Sequence, residues 1–430
     1  MNDVDTPAHI CDPQRPGDLI LGVRRDSQIA DQLVESGPGS GLPGLEALRE
    51  TSRLDDIADR LSNEGDDEDI ERPREESRER RSDGDYDFRL LTVQEGDEQI
   101  AVGSLIRLFL SIASESGGIG KTPPVIAQPN RILGFDSGQT PVALSADHIR
   151  YLQEMGLVCP TKPASYPRVR VVDSGCNGAQ NVVLKSNLLD PEDGSNVDDD
   201  DGHGSLIAAI IDDITHGPFE IFKVADAVRK PTEWEVLQAL SIRPIPPIIN
   251  LSMSLGFGRS HCPQCGRRPV GARTAVFQER LRELAEAGAI VVAAAGNQGG
   301  GHLAFPSRFA SAVAVEAYSS NLRGLAGYSN HGTTDETGAP HRSVFLCPGG
   351  DPEASEGPAL ERDGSVAYGT SYAAAYMSGL LAAIWAQRSR CTGACALCRE
   401  GVLQVARSAA STSFAGYNQS EHGNGLARLT

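Results

Sequence analysis

The sequence predicts an α/β fold with a central parallel sheet flanked by helices, preceded by a smaller α+β unit and a charged tail. Three observations lead there. From about residue 166 onward, short apolar runs alternate with helix-like patterns, and parallel strands covered on both faces read as such continuous runs. One stretch, from Ser371 through Gly379 to Trp385, is apolar nearly all round, which marks a central, buried helix. The first 84 residues are polar, Gly/Pro-spaced and highly charged, a composition that cannot bury a core.

In chain order, residues 1–84 are expected to be a disordered acidic tail and linker. The mixed-charge run Glu64–Arg81 is a solvated segment, with a protein partner as its alternative role. Residues 85–135 are a small α+β unit: a strand at Phe88–Val93, a helix at Val102–Ala113 and a strand at Pro124–Asn130. Residues 136–165 form a connector with a helix at Ala146–Met155 that Ser145 opens. Residues 166–430 form the main domain. Val169–Val172, Phe219–Val224, Ile248–Ser252 and Ala289–Ala295 read as buried strands. Thr232 with Glu235 makes a capping box, and Gly288 closes a helix that begins near Thr274.

Composition narrows the function classes. With 39 Lys+Arg against 58 Asp+Glu, the net charge is −19, which argues against nucleic acid as a partner. The sequence shows no secretory pattern, and Val102–Ala113 is too short to span a bilayer and contains Arg107. A cytoplasmic setting without membrane attachment is therefore expected. There the nine cysteines stay reduced. Cys262 and Cys265, pooled with Cys395 and Cys398, have the residue types of a four-thiolate zinc site, while two separate sites or plain thiols are the alternatives. No cofactor is required. Gly117–Thr122 looks like a phosphate loop, but Glu115 stands at the first glycine position and Pro123-Pro124 block the following helix, so nucleotide binding is rejected. Asp190, Glu192, Asp193 and Asp198–Asp201 read as a solvated loop, or else as a preference for basic substrates or a cation.

Four short segments carry chemistry. Val172-Asp173-Ser174-Gly175 delivers a carboxylate at a strand end, and Gly202-His203-Gly204 supplies an imidazole. Ala294-Ala295-Gly296-Asn297 supplies a side-chain amide, and Gly369-Thr370-Ser371 places a hydroxyl at a helix start. A serine hydroxyl is a poor nucleophile until a neutral imidazole can take its proton, and that imidazole needs a carboxylate to fix its tautomer. The oxyanion that follows needs preorganised donors, which the Asn297 amide and the Ser371 N–H can provide.

These segments, in the order Asp, His, Asn, Ser, resemble the subtilisin-like serine proteases, the subtilases. Asn250–Gly256 is similar to the strand that walls the family's primary specificity pocket. The resemblance covers about residue 167 to the C-terminus. It implies a three-layer subtilisin-like fold and a serine endopeptidase with Asp173, His203 and Ser371 as its triad and Asn297 in its oxyanion hole. It further implies that Ser254, Leu255, Gly256, Ala295 and Gly296 bind a polypeptide substrate. The 85–135 unit is similar to a subtilase propeptide, and the chain from Arg131 to Pro167 is then expected to run past the active-site cleft. A strand-like segment there is able to pair with the Ser254–Gly256 edge.

Three departures stand out. Ser205-Leu206 replaces the family's Thr-His, Tyr372 replaces the methionine after the nucleophile, and Ala375 replaces a proline. None removes a catalytic group. The alternative from another class is a catalytically silent, peptide-binding scaffold.

Overall fold

The computed structural model describes residues 14–24, 48–53, 86–93, 125–131, 133–134, 141–157, 165–179, 181–255, 275–321, 323–361, 364–388 and 393–429. They fall into two compact units. One takes the described part of Met1–Ile132 together with Thr232–Pro244 and the described part of Phe257–Glu283. The other is Leu133–Pro231, Ile245–Gly256 and Leu284–Thr430.

The first unit is built on an antiparallel sheet of β1 (Gln14–Arg24), β2 (Leu48–Arg53), β3 (Tyr86–Val93) and β4 (Val125–Arg131), in the order β2-β3-β1-β4. This corrects the expectation of a disordered tail over residues 1–84, because β1 and β2 lie inside it. The apolar run Leu19-Ile20-Leu21 is buried in full, and that burial offsets the ordering cost that the charged neighbours alone could not. Gly22 belongs to the same strand because an added Cβ would lie 2.6 Å from the Phe88 ring. The predicted helix Val102–Ala113, the phosphate-loop look-alike and the run Glu64–Arg81 lie outside the described residues.

The second unit begins with β5 (Leu133–Gly134), β6 (Pro141–Leu144) and α1 (Ala146–Glu154). Ser145 precedes α1 but does not cap it through its side chain. Its hydroxyl instead donates to the Gly357 carbonyl at 2.5 Å. Then follow β7 (Val169–Asp173), β8 (Val182–Asn187), α2 (His203–Thr215) and β9 (Phe219–Lys223). Next come α3 (Glu233–Ser241), β10 (Ile248–Leu251), β11 (Ser254–Leu255), α4 (Ala275–Glu286) and β12 (Ile290–Ala294). The chain continues through β13 (Ala312–Ser319), β14 (Gly324–Leu325), β15 (Val344–Pro348), β16 (Ala359–Glu361), β17 (Val366–Ala367), α5 (Thr370–Arg388) and α6 (Ala396–Ala409).

Its main sheet has eight strands in the order β14-β13-β12-β10-β7-β9-β8, with β15 also paired to β13. All pairings are parallel except β13 with β14. The chain lays β8 and β9 on one side of β7 and then returns to put β10 on the other. Such a reversal opens a crevice beyond the carboxyl ends of the two central strands. Helix α5 is buried from Thr370 to Trp385 and packs against α2, where a Cβ on Gly379 would lie 2.6 Å from Ile214. Both helices share one apolar core with β7, β9, β10, β12 and β13. Helix α1 joins it: Tyr151 and Leu152 are buried there, and His148 lies 2.6 Å from the Tyr376 hydroxyl and 2.7 Å from Asp213.

Helices α3 and most of α4 belong to the first unit. Strand β4 satisfies their first turns, whose N–H groups have no intrahelical acceptor. Asn130 Oδ1 accepts from Trp234 N–H at 3.1 Å, and Gln128 Oε1 from Val276 N–H at 3.0 Å. The predicted capping box is formed, with Glu235 accepting the Thr232 N–H at 2.8 Å. Gly288 follows α4 with φ +92°.

Candidate active site

Strand β7, buried at every residue, ends on Asp173. The carboxylate oxygen Oδ1 accepts the Ser174 N–H at 2.8 Å and lies 2.7 Å from His203 Nδ1. His203 opens α2 after Gly202, whose φ of +90° suits glycine. The helix start sits so close to β7 that a Cβ on Gly204 would lie 2.2 Å from the Gly175 carbonyl. Both members of the pair are fully buried.

A second carboxylate braces this corner. Asp199 is buried, and its Oδ1 accepts from Ser174 Oγ at 2.9 Å and Gly202 N–H at 2.7 Å. Its Oδ2 accepts from Ser205 N–H at 2.7 Å and Ser205 Oγ at 2.6 Å. Ser174 Oγ in turn accepts the Gly204 N–H at 2.9 Å. The acidic run thus divides: Asp199 is turned inward as a bracket, while Asp198 and Asp200 are exposed.

These charges act on His203. Burial by itself opposes the imidazolium, but Asp173, through its charge and hydrogen bond, and then Asp201 and Asp199 outweigh it, so the imidazole pKa is raised above 6.5. Desolvation raises the Asp201 carboxyl in turn.

Ser371 is the second residue of α5. In this structure its hydroxyl donates to the Ser252 carbonyl at 2.8 Å. Ser252 lies just beyond β10 and holds the same residue a second time, its Oγ standing 2.8 Å from Ser371 O and 2.9 Å from Asn250 Oδ1.

Asn297 follows β12. Its Oδ1 accepts from Thr370 N–H at 2.9 Å and Thr370 Oγ1 at 2.8 Å. The backbone donor fixes which end of the amide is oxygen, and Nδ2 is left as the donor end. Nδ2 lies 3.2 Å from the place a Cβ on Gly369 would occupy, so a side chain there would press on the amide. The Ser371 N–H belongs to the first turn of α5, where no intrahelical acceptor exists.

The predicted substrate-binding residues fare differently. Ser254 and Leu255 form β11, which pairs antiparallel with β5, Ser254 opposite Gly134 and Leu255 opposite Leu133. Leu133 N–H also donates to the Pro231 carbonyl at 2.8 Å. Leu133 and Gly134, at the end of the upstream unit as bounded from sequence, thus already occupy this edge. Gly256 lies outside the described residues. The backbone groups of Ala295 and Gly296 serve the fold: Ala295 N–H goes to Val315 O and Gly296 N–H to Thr370 Oγ1, while their carbonyls accept from Ala304 and Asn330.

Cys262 and Cys265 also lie outside the described residues, whereas Cys395 and Cys398 stand at the start of α6. Among the described residues no three His, Cys, Asp or Glu side chains are grouped to hold a metal ion, and no helix is long and apolar enough to cross a membrane. Reasoning from sequence missed Asp199, Ser252 and Thr370. Thr370 was legible as part of Gly-Thr-Ser, but nothing in an acidic run marks the one carboxylate that turns inward.

Residues 246–425 match the model of the subtilase family. Over this segment the chain is similar to the subtilases. The matched segment holds Asn297 and Ser371 and begins after Asp173 and His203. Alkaline elastase YaB from Bacillus sp. (strain YaB) is 25% identical over 219 residues, 50% of this chain and 53% of the elastase. The chain thus spans about half the length of this relative. A protease structure from Pseudoalteromonas arctica PAMC 21717 shares the fold, with a TM-score of 0.50 and 19% identity over 67% of this chain and 97% of that one. A lanthipeptide protease gives a TM-score of 0.48 and 19% identity over 68% of this chain and 97% of that one. The fold shared with the Pseudoalteromonas arctica protease is the three-layer α/β arrangement, with a mostly parallel central sheet flanked by helices.

Proposed function

We propose that this chain is a subtilase, a serine endopeptidase that hydrolyses peptide bonds with Asp173, His203 and Ser371 as its triad. The observation that carries the reading is the buried 2.7 Å contact between His203 Nδ1 and Asp173 Oδ1, made beside the helix start that bears Ser371. Asp173 holds the proton on Nδ1, so the other ring nitrogen is the base. Ser371 Oγ leaves the Ser252 carbonyl, passes its proton to that nitrogen and bonds to the scissile carbonyl carbon. The resulting oxyanion is received by Asn297 Nδ2 and the Ser371 N–H. The imidazolium then protonates the leaving amine as the C–N bond breaks, and water repeats the sequence to release the acid and restore Ser371. A polypeptide substrate would lie along Ser254–Leu255 as Leu133–Gly134 does.

Covalent labelling by a fluorophosphonate tests this. Wild type is expected to label and Ser371→Ala is not. An unlabelled wild type would leave the silent scaffold as the better reading. On the same gel, Ser371→Ala is expected to stay full length if the wild type cleaves the stretch just after Gly134.

A further inference from the structure

We propose that Tyr372 is a positioning residue for His203: its ring packs beside the imidazole, limits the swing of that ring away from Asp173 and supports the imidazolium that forms at each proton transfer. This inference rests on the triad reading above, since it assigns a task within that reaction.

Tyr372 follows Ser371 in the first turn of α5, and its side chain is fully buried. Its ring centroid lies 5.8 Å from that of His203, with the planes inclined by 36°. The Nδ1 contact with Asp173 ties the imidazole along one edge. The ring can still swing about its Cβ–Cγ bond at the cost of that contact, and a bulky neighbouring ring opposes the swing. The face of an aromatic ring is also electron-rich, so it favours a cation over a neutral imidazole. The charged groups facing His203 are Asp173 from β7 and Asp199 and Asp201 from the loop before α2. They attract the imidazolium but do not set the plane of its ring.

A second observation separates ring from hydroxyl. The Tyr372 hydroxyl is buried and has no hydrogen-bond partner among the described residues. Leaving a buried hydroxyl unsatisfied is unfavourable, so the oxygen adds no hydrogen bond here and the ring is the part of Tyr372 that bears on His203.

The test compares Tyr372→Leu and Tyr372→Phe in the full chain by two measurements. One is kcat and KM as a function of pH; the other is an NMR titration of the His203 ring nitrogens, which needs no turnover. Tyr372→Leu is expected to lower kcat about tenfold with KM within about twofold, and to move both the acid limb and the titration down by about half a pH unit. Tyr372→Phe, which keeps the ring, is expected to restore both and to raise Tm. If Tyr372→Leu does not fold, Tyr372→Met replaces it as an unbranched chain without an aromatic face. An unmoved titration in the non-aromatic variant would overturn the proposal, as would a loss in Tyr372→Phe equal to that in Tyr372→Leu. A wild type that neither hydrolyses peptides nor labels would sink the triad reading, while the titration would still decide whether the ring holds the imidazole.

Discussion

Asp173 and Glu316 are two carboxylates on strands of one sheet, both fully buried, and they meet opposite conditions. Asp173 stands at the carboxyl end of β7, where the chain leaves the ladder. There the next N–H and the first side chain of α2 converge on one of its oxygens. Glu316 stands inside β13, opposite Leu346 of β15. It receives the Gly332 N–H at 3.0 Å, while its Oε2 has no partner among the described residues. Burial pushes the Glu316 carboxyl well above its ordinary 4.5, and the Gly332 N–H offsets only part of that. Desolvation is common to the two sites. Each also has one oxygen without a hydrogen-bond partner among the described residues, Asp173 Oδ2 and Glu316 Oε2. What differs is that the strand end adds an imidazole to the backbone donor, whereas Glu316 has the Gly332 N–H.

Removing the Asp173 carboxylate should have the largest effect. Asp173→Asn is expected to lower kcat by about 10⁴, the magnitude known for this change in a chymotrypsin-type triad, with the fold retained by circular dichroism. Substantial activity in that variant would dissolve the contrast between the two carboxylates. Next, Asn297→Ala should raise the barrier by about 3 kcal/mol, a magnitude that subtilisin itself established, with little change in KM. An effect confined to KM would make Asn297 a pocket wall.

The pH profile sharpens the Asp173 side. Because the His203 pKa is raised above 6.5, and only the neutral imidazole accepts the serine proton, kcat/KM is expected to rise with pH through a midpoint above 6.5. A midpoint below about 5 would point to another base.

Glu316 gives the smallest effect and the opposite sign. Its folded-state pKa is raised, so above pH 4.5 the unfolded chain binds fewer protons than the native one. Stability therefore falls as pH rises from there through the folded value. Glu316→Gln keeps the shape and removes the ionisation. It should gain on the order of 1 kcal/mol near neutral pH, with no gain below pH 4, read from urea midpoints at several pH values. A loss of stability at neutral pH would show that the ionised carboxylate has a favourable partner.

Much of the sheet was legible because strands buried on both faces leave continuous apolar runs. Val169–Val172 and Ile248–Ser252 were each read to within a residue of the observed strands. The charged N-terminal segment was misread at Gln14–Arg24, since Leu19–Leu21 is a short apolar run in polar surroundings and its pairing partners lie far along the chain. Among the candidate site residues, those in turn-bounded motifs could be named in advance. Thr370 shares such a motif, whereas Ser252 acts through Ser371, far along the chain, and Asp199 is one of four consecutive aspartates that no local pattern tells apart.

By itself the sequence determined the order of the strands and helices along the chain, the side chains offered at their ends and the glycines that let β7 and α2 approach. Each of these follows from local preferences of the backbone and from the apolar pattern. Only the tertiary structure decided that Asp199 turns inward while Asp198 and Asp200 face water, that Tyr372 lies beside His203, that the Ser371 hydroxyl rests on the Ser252 carbonyl and that Leu133–Gly134 takes the edge of β11. The choice among chemically equal candidates depends on which of them the packing of distant segments brings within hydrogen-bond reach.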